Sequence, residues 1–143
     1  MENNRYAEDA QIGSGTSLLR SEIRLGLIEG DSGPRHEKQE VLEFLAAIYR
    51  ERITQGLCFI PLVVTDATLT FLHREEGGEA MVIFEPALVL VSTRSSEDSL
   101  RDGQWQAEIE NLAKDLGQRF NQNIVEIAFY RVKEKVFHRI ETK

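Results

Sequence analysis

The stretch from Glu85 to Val132 constrains this chain most, because it reads as a strand, a long amphipathic helix and a second strand. Ala87-Leu88-Val89-Leu90-Val91-Ser92-Thr93 is a continuous β-branched and leucine run, the pattern of a strand central in a sheet or buried on both faces. Trp105, Ile109, Leu112, Ala113, Leu116 and Phe120 then recur at helical spacing and line one face. Ile124 to Tyr130 follows as the second strand. Such a helix buries its stripe only by lying on the sheet that its flanking strands build, so the rest of the chain is placed against this unit.

Ahead of it, residues 1–18 form a polar leader around Gly13-Ser14-Gly15-Thr16-Ser17, a flexible-linker composition. Its scattered apolar residues (Tyr6, Ile12, Leu18) and the adjoining Leu19 fit an extended arm that gains order only by docking. Over residues 19–29, Ile23, Leu25 and Leu27 alternate with Glu22, Arg24 and Gly26, which predicts a strand with one solvated face. Gly26 in mid-strand marks a bulge or a close backbone approach. The loop Gly30 to Pro34 leads into a helix, with Pro34 expected in the first turn and Ser32 or Gly33 as N-cap. Val41, Phe44, Leu45, Ile48 and Ile53 form its apolar stripe, and Gly56 supplies a left-handed end.

A second strand is expected over Leu57–Val64, with Pro61 at an edge or bulge and a turn at Thr65-Asp66. The stretch from Ala67 to His73 and the run Met81–Phe84 pair as an extra hairpin across Arg74–Glu79. Pro86 either separates this hairpin from the buried strand or kinks one long strand. Ser95 to Ser99 reads as a loop and helix-cap cluster, and Asn121 and Asn123 suit a left-handed helix end. The last strand has the pattern to turn at Lys133-Glu134 and return through Val136–Ile140.

This order is the βαββαβ pattern of an α+β, ferredoxin-like sandwich: an antiparallel sheet with two helices on one face and an extra β-hairpin. It predicts an arm over residues 1–18 and a single domain over 19–143. The second half resembles a family of small bacterial ferredoxin-like proteins of unknown function. The resemblance rests on Glu85-x-Ala87-Leu88-Val89-Leu90-Val91, the long helix, and Arg119-Phe120-Asn121-Gln122-Asn123-Ile124-Val125 at its end. The chain departs from that family in lacking an export signal and a Gly-x-Trp segment in its middle strands. The resemblance implies a fold and no catalytic residue.

Composition narrows the function classes. The 143 residues fit one core, and 41% hydrophobic with 29% charged residues describes a globular protein. No apolar run is long enough to span a membrane, and the first residues lack the apolar core of a signal peptide, so the expectation is a cytoplasmic protein without membrane attachment. The single cysteine, Cys58, sits in an apolar run and excludes a disulfide framework. A net charge of −7 speaks against general nucleic-acid binding, which needs a basic surface. The cationic tail (Arg131, Lys133, Lys135, His138, Arg139, Lys143) reads as a protected edge strand.

Candidate chemistry is sparse. Asp31, Ser32 and Gly33 join strand to helix, where an acid can hold a divalent metal and loop amides can hold an anion; an ordinary loop acid is the competing reading. Asp66 carries the same two readings. The three histidines, His36, His73 and His138, have no metal-ligand spacing and sit among charges, which predicts solvent exposure. Leu69, Phe71, Met81 and Ile83 are the candidate interface, an apolar hairpin side on the open sheet face. No cofactor is implied. These features put first a noncatalytic binding module, acting as a homo-oligomer or as a subunit of a larger protein assembly. The alternative is a small enzyme with its site on the open sheet face, performing metal-dependent phosphodiester cleavage through Asp31 or acid–base chemistry on a small molecule.

Overall fold

The computed structural model of the chain describes residues 18–30, 33–57, 60–74, 76–94, 100–132 and 140. In order these form β1 (Leu18–Gly26), α1 (Lys38–Thr54), β2 (Val63–Arg74), β3 (Ala80–Arg94), α2 (Asp102–Arg119) and β4 (Glu126–Val132). The four strands make one sheet in the order β2-β3-β1-β4, every neighbouring pair antiparallel. This is the ferredoxin-like α+β sandwich. The polar leader and the expected return strand after Val132 lie outside the described residues, apart from Leu18, which belongs to β1, and Ile140.

The pleat sorts the residues of the central strands. Ile23 and Leu25 of β1 pair with Leu90 and Leu88 of β3, and all four are fully buried under the helices. Val41 and Leu45 of α1 and Trp105, Ile109, Leu116 and Phe120 complete the core. Leu112 and Ile127 pack on its margin, half-buried. The α1 stripe ends sooner than its spacing suggests, since Ile53 is 62% exposed in the last turn.

Local chemistry explains both helix ends. At α1, Gly56 takes φ 73°, its N–H bonds Ile53 O, and Leu57 N–H bonds Arg52 O. At α2, Asn121 takes φ 52°, and Gln122 N–H bonds Gly117 O. Both are Schellman closures, one on glycine and one on asparagine.

Several sequence expectations are corrected. Pro34 does not open α1: the N-cap is Glu37, whose N–H donates to Glu40 Oε2 at 2.8 Å. The chain instead folds back on itself before the helix, with Glu29 N–H bonding Pro34 O and a bridge between Ile28 and Arg35. Residues 57 and 60–62 are not strand, and Thr65-Asp66 is no turn, because β2 runs unbroken through them. The hairpin is accordingly not an addition; it is β2 and β3 prolonged past β1 around Gly77 at φ 76°. The N-cap of α2 is Arg101, beyond the serine cluster. Gly26 marks a close approach and no bulge, since the β1–β3 register is continuous and a Cβ there would lie 2.8 Å from Gln122 Oε1.

Pro86 settles as part of one long strand. Its carbonyl accepts Leu27 N–H at 3.1 Å, so its missing N–H falls on the same side, past the last β1 pair, Gly26–Ala87. A non-proline residue here would donate back to Leu27 O. With that donor absent, Leu27 O accepts His36 N–H at 2.7 Å. Proline thus ends the β1–β3 ladder and hands the strand's last carbonyl to the segment leading into α1.

Candidate active site

The face of the sheet away from the helices carries the residues that alternate with the core. On β1 these are Arg20, Glu22 and Arg24. Glu22 lies opposite Val91 of β3 and Ala128 of β4, both small enough to leave its carboxylate standing clear at the centre of the sheet. Arg20 Nη2 reaches Glu22 Oε2 at 3.3 Å, and Arg24 Nη2 approaches Oε1 at 3.9 Å. From β4, Tyr130 donates its hydroxyl to Glu22 Oε1 at 3.4 Å. The Glu22 side chain keeps only 20% exposure, half that of either arginine. The result is one carboxylate held by two cations and a phenol on an otherwise open surface.

Toward β2 the same face becomes apolar. Val89 and Val91 pair with Thr65 and Val63, and Thr65 Oγ1 donates to Val89 O at 3.3 Å. Further along, Leu69 pairs with Glu85, Phe71 with Ile83 and His73 with Met81. The register therefore places all four candidate interface residues, Leu69, Phe71, Met81 and Ile83, on the open face; Phe71 and Met81 are exposed, Leu69 and Ile83 half-buried. The opposite side of the prolonged hairpin is apolar as well, with Leu72, Val82 and Phe84 exposed. The expectation of one apolar side thus understates this arm.

Of the anion or metal candidates, Asp31 and Ser32 lie outside the described residues. The Gly33 N–H donates to Glu29 O at 2.8 Å, and α1 begins five residues later, so this amide is engaged in a turn and is not part of a helix N-terminus. Asp66 is an exposed strand residue facing Lys38 Nζ at 3.6 Å. Among the described residues no three His, Cys, Asp or Glu side chains converge to hold a metal ion. Cys58 and His138 lie outside the described residues, and His73 is exposed on the hairpin.

His36 departs from the expectation of exposure. Its side chain is 13% exposed, with Nε2 2.6 Å from Glu29 Oε2 and Nδ1 3.1 Å from Glu40 Oε1. The ring stands edge-on to Phe120, 5.1 Å between centroids. Asn121 Nδ2 donates to Glu29 Oε1 at 3.1 Å, and Gln122 Nε2 to Ile28 O at 3.0 Å. The signal in the sequence was slight: His36 and Glu40 stand four apart, and Glu29 enters only through the fold-back. The hydrogen bond to Glu40, joined by that to Glu29, raises the His36 pKa above its usual value despite burial. Glu40 is held below the usual carboxylate range, first by the Glu37 amide and then by His36.

A groove of about 680 Å³ runs between α2 and β4 and is lined by Lys114, Gln118, Asn121, Gln122 and Val125 among others. The open sheet face, which gathers one carboxylate, two guanidinium groups and a phenol, is the better-built site.

The chain matches no protein-family model and no curated protein. Two solved structures are similar in fold. A phage SAM lyase in complex with S-methyl-5'-thioadenosine aligns with TM-score 0.60 and 18% identity over 83% of this chain and 84% of that one. A phage SAM lyase in the apo state aligns with TM-score 0.57 and 18% identity over 85% and 86%. At that identity the likeness establishes the fold. It also overturns the reading that ranked a noncatalytic module first, because the similar structures are those of an enzyme.

Proposed function

We propose that this protein is a small enzyme whose site lies on the open sheet face, and that it cleaves a sulfonium nucleoside of the S-adenosylmethionine type. The observation that carries the reading is the likeness to a lyase over more than four-fifths of both chains. The open face supplies suitable chemistry. Arg20 and Arg24 offer cationic partners for an amino-acid carboxylate, and Glu22 with Tyr130 offers an anion and a phenol beside a sulfonium. Val89 and Val91 give the nucleoside an apolar floor. In such a cleavage the carbon–sulfur electron pair stays with sulfur, giving a neutral thioether. The amino-acid fragment completes its valence internally, through its own carboxylate or by losing a proton to a base such as Glu22.

The enzyme is read as a homo-oligomer in the cytoplasm. Its hairpin arm, apolar on both sides, is suited to lie against a second copy. No helix is long and apolar enough to cross a membrane, among the described residues.

The test is incubation of the full chain with S-adenosylmethionine, with S-methyl-5'-thioadenosine followed by mass spectrometry. Product should form, and Glu22→Gln should reduce its rate about tenfold or more. Absence of product, together with no change in melting temperature on adding S-methyl-5'-thioadenosine, would remove this reading. Phosphodiester cleavage that requires a divalent metal and is lost in Asp31→Asn would move the chemistry to the β1–α1 loop.

A further inference from the structure

The imidazole of His36 has an acceptor on each nitrogen: Glu29 Oε2 at 2.6 Å and Glu40 Oε1 at 3.1 Å. A neutral imidazole carries one N–H and can donate to only one of them; only the imidazolium donates to both. We propose that protonated His36 is a pH-sensitive latch, fastening the chain on either side of the β1–α1 turn to α1 and to the α2–β4 junction. Among the described residues, the charged and titratable groups facing it are few. Glu29 comes from the fold-back segment after β1 and Glu40 from α1, and Arg119 at the end of α2 lies near enough to Glu40 to help hold it ionised. Arg119 stacks over Phe120, 4.9 Å from the ring centroid, and Phe120 in turn carries the His36 ring edge. Asn121, neutral, anchors the second oxygen of Glu29.

The latch sits where Pro86 has ended the ladder. Glu29 N–H to Pro34 O, Gly33 N–H to Glu29 O and His36 N–H to Leu27 O are the segment's backbone ties, and Gln122 Nε2 to Ile28 O joins it to the α2–β4 junction. When His36 loses its proton, one carboxylate loses its donor and two acidic side chains are left facing one neutral ring. The sign follows from the direction of the shift: the contribution is fully present below the ordinary histidine pKa and is lost as pH rises through the higher folded value. Glu40, held low, sets the other limit, and its share is lost as pH falls through its own folded pKa.

Two measurements test the latch. In His73→Gln/His138→Gln, His36 is the only imidazole, and its ring proton should titrate by NMR above the ordinary histidine range. A midpoint at or below that range overturns the proposal. In the wild-type chain, exchange of the Glu29 and His36 amides is compared with that of His36→Gln at each pH, which cancels the intrinsic pH dependence. The wild type should be protected several-fold more at pH 6 and converge with the variant above the His36 midpoint. A constant ratio across pH would show a merely structural contact and equally overturn the latch. Should His36→Gln fail to fold, convergence is read instead on the wild type with temperature, as a melting temperature that falls through the NMR midpoint; a flat profile there counts against it.

Discussion

Leu116 lies at the centre of the core, fully buried between α2 and the sheet, with Ala113 and Phe120 one turn to either side. Truncation to alanine removes its packing and leaves a cavity that flanking leucines fill only in part. Leu116→Ala should cost about 2–5 kcal/mol in denaturant unfolding; an unchanged midpoint would break the helix assignment. Ser92 makes the opposite case. It is 2% exposed, opposite Ser21, and both hydroxyls lack a protein hydrogen-bond partner. An unsatisfied buried hydroxyl costs about 1–3 kcal/mol, so Ser92→Ala should leave the melting temperature unchanged or raise it. A clear fall would mean that the hydroxyl is bonded. At this scale, burial of apolar residues in regular elements was legible, because period two and period 3.6 each leave a pattern. The surroundings of His36 were not, since two of its partners, Glu29 and Phe120, are seven and 84 residues away and meet it only through the fold.

At the scale of elements, the order βαββαβ could be read because each segment buries one face and so carries its own periodicity. Boundaries failed where a proline had two uses. Pro34 suits a helix start as well as a turn, and what decides is the Glu29 N–H that its carbonyl accepts. Pro61 and the Thr65-Asp66 pair looked like interruptions, yet β2 starts after the one and passes through the other, because β3 offers it a continuous partner. The same pairing predicts a gradient within β3. Leu88 to Ser92 have β1 on one side and, up to Val91, β2 on the other, whereas Ala80–Phe84 pair with β2 alone. Amide exchange should therefore be slowest at Leu88–Leu90 and faster by orders of magnitude at Met81–Phe84 in a monomeric state. Uniform protection along β3 would mean that something else covers the hairpin.

For the whole molecule, the hairpin arm is the element that calls for such a cover. Beyond Gly26 the arm projects roughly 20 Å at ~3.3 Å per residue, and a two-stranded ribbon on its own is marginal in water. Its exposed apolar residues fall on both sides: Phe71 and Met81 on one, Leu72 and Phe84 (64% and 68% exposed) on the other. A monomer would leave all of them to solvent. The candidate site carries the same incompleteness, since Glu22 and its arginines stand on a face that no wall covers among the described residues. The open face itself was legible in the sequence, through the charges that alternate with Ile23 and Leu25. The ionic cluster was not, because Tyr130 meets Glu22 only once β4 has paired with β1. If the arm seats a second copy, light scattering should give a mass above that of one chain. Phe84→Asp, which places a charge on the arm and touches no core residue, should shift the population toward monomer while the far-ultraviolet circular dichroism stays the same. Deleting residues 2–17 separates the other candidate for this contact: the fold should persist, and association should weaken only if the leader shares in it. A wild-type chain that remains monomeric at high concentration would remove self-association, and the exposed arm would then have to be explained by a different partner.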